Sequence, residues 1–92
     1  MNDTLKDAKI LFDLNELVGS LDVLNRIIFN DYRNSDALLL RARIQYKMEL
    51  WGKAMNDYSA VLEIDPDNRE AKSGIEMVKN ILGYFTPDMF NP

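Results

Sequence analysis

The stretch Ala37–Asn68, ALLLRARIQYKMELWGKAMNDYSAVLEIDPDN, decides how the chain folds. Two amphipathic helical patterns meet within it at Glu49-Leu50-Trp51-Gly52, and it closes on Ile64-Asp65-Pro66-Asp67-Asn68. Pro66 has no backbone N–H and biases Asp65 away from helical geometry, so the second helix stops there. Ala42 and Ala54 are small, which lets two helix backbones approach as ridges-into-grooves packing requires. Tyr58 and Trp51 are large enough to fill the wedge between the helices, and Trp51 is the expected core anchor. Taken alone, these features describe a helical hairpin.

The order of residues carries more. Leu38, Arg41, Ala42 and Gln45, then Ala54, Tyr58 and Pro66, stand at the spacing W-x2-L-G-x2-Y, A-x3-F, P of the tetratricopeptide repeat (TPR). The segment resembles a TPR. Leu38 and Tyr58 are conservative departures from the pattern, whereas Arg41 and Gln45 are polar where it carries apolar residues.

Shifting back by the family's period of about 34 residues uncovers a second copy. Ala8 pairs with Ala42, Phe12 with Tyr46, Leu17 with Trp51, Ser20 with Ala54 and Leu24 with Tyr58. Asp31 and Asn34 pair with Asp65 and Asn68. Small, large and turn positions thus match in one register. The first copy is degenerate, with Tyr32 in place of the proline and Thr4 and Asp7 polar.

The resemblance implies an all-α fold: an α-solenoid of antiparallel helix pairs, about five helices in a right-handed superhelical stack. Residues 1–34 form a degenerate first repeat, 35–68 the second, 69–83 a capping helix and 84–92 a tail. The apolar periodicity predicts helices over Asp3–Leu14, from Gly19-Ser20 to Asn30, from a cap at Ser35 or Asp36 to Met48, and from Gly52 to Glu63. The fifth runs from a cap at Asp67 or Asn68 to a stop at Gly83. Glu70, Lys72, Glu76, Lys79 and Asn80 give that helix the polar outer face of a terminal cap, the competing reading being a longer array cut short. The tail holds two prolines and four large apolar residues, Tyr84, Phe85, Met89 and Phe90, which are expected to rest on the capping helix or in a neighbour's groove.

Composition removes whole classes of function. At 92 residues and 47% hydrophobic content the chain is a single domain with a limited core, and disorder is excluded as its default. It contains no cysteine and no histidine, so disulfides, thiolate–metal sites and the commonest nucleophile and base side chains are missing. A net charge of −4 and a pI near 4.7 argue against nucleic-acid binding. The amino end lacks a cationic start and apolar run, and no stretch approaches the ~20 apolar residues of a membrane span, so the chain reads as soluble and cytoplasmic. Asp65-x-Asp67-Asn68 lacks the glycine and distal glutamate of a calcium loop and reads as a turn and cap. Glu63 and Asp65 sit at a helix end and do not read as an acid–base pair, and no glycine-rich phosphate loop occurs. No catalytic residue, metal ligand or cofactor is therefore expected, and the chain does not read as an enzyme.

The TPR resemblance implies instead a concave groove, lined by the first helix of each pair, that binds a peptide or a segment of a partner protein. The matching positions are Asn2, Leu5, Lys6, Lys9, Phe12 and Asp13 on the first helix. Asp36, Leu39, Leu40, Arg43, Tyr46 and Lys47 follow on the third, and Ser73, Gly74, Met77, Asn80 and Ile81 on the fifth. Lys6, Lys9, Arg43 and Lys47 make this face basic within an acidic protein, and an exposed Leu39-Leu40 pair adds apolar area, which suits an acidic and hydrophobic partner. The alternative is a self-associating structural module, a homodimer that buries its exposed apolar surface against another copy and takes no peptide ligand. The carboxylate clamp of chaperone-tail-binding relatives is rejected, because of its basic and asparagine positions only Lys9 survives.

Overall fold

The computed structural model describes residues 3–85 and is all-helical among them. Its elements are α1 (Leu5–Asp13), α2 (Leu17–Asn30), α3 (Ser35–Lys47), α4 (Trp51–Ile64) and α5 (Arg69–Phe85). Residues 1, 2 and 86–92 lie outside the described residues, and with them the expectations for Asn2, Met89 and Phe90.

Local chemistry sets the boundaries, and it recurs one period later. Thr4 caps α1 in a reciprocal box: its hydroxyl accepts the Asp7 N–H at 3.2 Å, while the Asp7 carboxylate accepts the Thr4 N–H. The α1 and α3 ends are built alike. Asn15 donates its N–H to Phe12 O and Glu16 to Leu11 O; Glu49 donates to Tyr46 O and Leu50 to Gln45 O. These are paired Schellman closures, with Asn15 (φ 60°) and Glu49 (φ 61°) in the left-handed position. The turns before α3 and α5 also match. Asp31 and Asp65 each accept the N–H two residues on, and Asn34 and Asn68 cap by accepting the Ala37 and Ala71 N–H groups.

Several boundaries differ from the sequence expectation. The cap of α3 is Asn34, one residue before the serine and aspartate expected. Helix α2 opens at Leu17, ahead of Gly19-Ser20. Gly83 does not stop α5, which continues to Phe85, so the helix extends beyond the 69–83 segment. A lone glycine costs a helix only about 1 kcal/mol, too little to end one that is otherwise well packed.

Packing follows the small residues. Ala8 and Ser20 are fully buried where α1 meets α2, and the Ser20 hydroxyl donates to Ala8 O at 2.7 Å. Ala42 and Ala54, one period on, are fully buried where α3 meets α4. Helix α3 is the centre of the molecule and touches all four others. That position corrects the expectation for Leu39 and Leu40. They are 9% and 2% exposed and belong to the core, because a helix with neighbours on several sides has little face left for solvent. Trp51 is also not the buried anchor expected. It is half-buried at the first position of α4, with its ring edge-on to Tyr46 at 5.2 Å.

Among the described residues α1 touches α3 and α3 touches α5, but α2 and α4 do not meet. The stack therefore closes up on the side of the odd helices. Lys72, Glu76, Lys79 and Asn80 are exposed on α5, consistent with a polar outer face. No helix in this range is long and apolar enough to cross a membrane.

Candidate functional site

The odd helices place a cleft of about 320 Å³ on their shared side. Phe12 of α1, Arg43, Tyr46 and Lys47 of α3, Tyr58 of α4, and Glu70, Ser73 and Met77 of α5 line it. Six of these, Phe12, Arg43, Tyr46, Lys47, Ser73 and Met77, are groove positions expected from sequence. Leu5, Lys6 and Lys9 do not line the cleft, and Leu39 and Leu40 lie in the core.

Most of the lining side chains are held by specific contacts. The Lys47 ammonium lies 5.1 Å from the centre of the Phe12 ring, a cation–π contact that ties α3 to α1. Tyr46 is braced by the Trp51 edge. Arg43 reaches α5, where its Nε and Nη2 donate to the two carboxylate oxygens of Glu70. This corrects the placement of Glu70 on the outer face of α5: it is a rim residue whose charge offsets that of Arg43. The face is therefore less basic than its lysines and arginine suggest. Hydrogen bonding to Glu70 holds Arg43 more firmly protonated than usual. Tyr58 forms the floor. Burial, reinforced by the Glu70 charge, pushes its phenol above the ordinary tyrosine value.

The floor depends on Gly74. A Cβ at that position would lie 2.4 to 2.7 Å from three atoms of the Tyr58 ring, so the ring packs directly on the α5 backbone. One period earlier stand Leu24 and Leu40, both buried. At the second interface a larger residue faces a smaller one.

A second crevice, of about 310 Å³, opens among α2, α3 and α4. Sequence reasoning met Arg41 and Gln45 only as departures from a pattern and did not single out Asp57. Asp57, 6% exposed, accepts from Arg41 Nε at 2.7 Å and Nη2 at 2.8 Å, and from Gln45 Nε2 at 2.8 Å. Arg41 Nη1 donates to Asn25 Oδ1 of the preceding pair at 3.0 Å. The signal was available: two polar residues one helical turn apart in α3, and an aspartate in the interior of α4. No described group of three acidic, histidine or cysteine side chains could hold a metal ion.

Comparison of the chain with protein-family models finds no match, and comparison with curated proteins finds none.

Proposed function

We propose that the protein is a non-enzymatic interaction module of the TPR kind, which seats a segment of a partner protein in the cleft of α1, α3 and α5. One observation carries this reading: α1, α3 and α5 bring the rings of Phe12 and Tyr46 and the Met77 thioether into one open concavity, floored by the Tyr58 ring of α4. Met77 is 44% exposed, and aromatic and methionine side chains are the residue types enriched where proteins bind one another. Selection from a displayed library of random peptides tests it. Peptides enriched on the wild type should bind Met77→Lys and Tyr46→Ala at least about tenfold more weakly. Undiminished binding to both variants would move the site elsewhere.

Self-association is the second reading, and a different surface favours it. Val18 and Phe29 stand on one face of α2, and Phe29 is 89% exposed. Sedimentation should then show a dimer that Phe29→Ser converts to monomer; a monomeric wild type at high concentration would contradict this reading.

A further inference from the structure

The cleft carries its own carboxylate. Both oxygens of Glu70 occupy the Nε–Nη2 edge of Arg43, an edge with which arginine takes a carboxylate in two parallel bonds. We infer that Glu70 is a resident competitor that sets the specificity of the cleft. It withholds Arg43 from acidic ligands, so the site takes an apolar anchor side chain and reads at most one acid, through Lys47. This inference rests on the cleft being a partner site.

Three observations lead to it. Glu70 is held in place before any ligand arrives, on the first turn of α5, whose start is fixed by the Asn68 cap. An incoming carboxylate would exchange one ion pair for another and leave the displaced Glu70 charge facing its own, a like-charge contact that specific interfaces avoid. An apolar anchor meets no such opposition against Phe12, Tyr46 and Met77. Finally, Lys47 makes no ion pair among the described residues and lies over the Phe12 ring, so its positive charge remains available at the edge of the apolar wall. Arg43 and Glu70 are 44% and 38% exposed, at the rim. An ion pair at such an exposed place contributes little to stability, so neutral replacements leave the fold intact.

The experiment compares peptides selected from one random displayed library by three full-length proteins: wild type, Glu70→Gln, and the double variant Arg43→Gln/Glu70→Gln. Wild type should enrich an aromatic or long aliphatic anchor with no more than one neighbouring acid. Glu70→Gln should enrich a further acid, and those peptides should bind it about tenfold or more tighter than they bind the wild type. The double variant should hold the wild-type peptides within about threefold. Identical peptide composition on wild type and Glu70→Gln would overturn the inference. So would a loss beyond about tenfold on the double variant, because Arg43 would then be reading the ligand. Wild-type peptides rich in acids beside the anchor would overturn it without reference to any variant. Failure of all three proteins to enrich anything would remove the cleft as a partner site, and this inference with it.

Discussion

The Tyr58 ring rests on the backbone at Gly74, so close that even a methyl group there would stand 2.4 Å from the ring. The contact joins the last helix pair to α5 and forms the floor of the cleft. It makes Gly74 the glycine of the chain whose lack of a side chain matters most. Gly74→Ala gains about 1 kcal/mol in helix propensity but overpacks a buried site at a cost of ~1–3 kcal/mol. A net loss of stability is expected by denaturant unfolding. The double variant Tyr58→Leu/Gly74→Leu, which copies the residues of the preceding interface, should be more stable than the sum of its single changes implies. Additive single effects would mean that the two side chains do not meet.

Asp57 should be the most sensitive polar position. Asp57→Ala leaves Arg41 and Gln45 without their shared acceptor, at an expected cost of ~2–4 kcal/mol. Replacing Arg41, Gln45 and Asp57 together by leucine should recover most of that loss, since apolar replacement of a whole buried polar cluster is often neutral or better. If Asp57→Ala melts like the wild type, the cluster contributes nothing to the folded state.

Glu49 holds a left-handed backbone at the end of α3, where helices commonly place glycine. Glu49→Gly should therefore raise stability, by as much as ~1 kcal/mol, despite the added freedom of the unfolded chain. A lower unfolding midpoint would contradict the relief of strain.

Alkaline pH should destabilise the fold through Tyr58. Burial raises its folded-state pKa above the ordinary value of 10.0. The unfolded chain therefore gives up this proton first. The stabilisation is complete below the ordinary value and is lost as pH rises through the folded one. Unfolding midpoints measured from about pH 9 to 11 should fall more steeply for the wild type than for Tyr58→Phe. Parallel curves would show that the phenol is not desolvated.

Much of the fold was legible from apolar spacing, because the same small and large residues recur one period apart. Ala8 and Ala42, and Asn34 and Asn68, could be paired before any coordinates. Leu39 and Leu40 could not be placed, because periodicity identifies one buried face and α3 has neighbours on several sides. Glu49 carried no terminator signal, since its geometry is imposed by the Schellman hydrogen bonds and not by the residue type. Glu70 looked like part of a solvated charged face, and only the reach of Arg43 across to α5 brings it to the rim. Arg41, Gln45 and Asp57 each look like a defect alone; their sense lies in one another.

The central claim is that the cleft of the odd helices receives the partner. A library-selected peptide titrated into isotope-labelled protein, followed by NMR chemical shifts, tests it most directly. The account predicts shifts concentrated at Phe12, Tyr46, Lys47, Ser73 and Met77, and abolished by Met77→Lys in a protein that still folds. Shifts confined to Asn25, Lys53 and Asn56, which line the crevice among α2, α3 and α4, would contradict it.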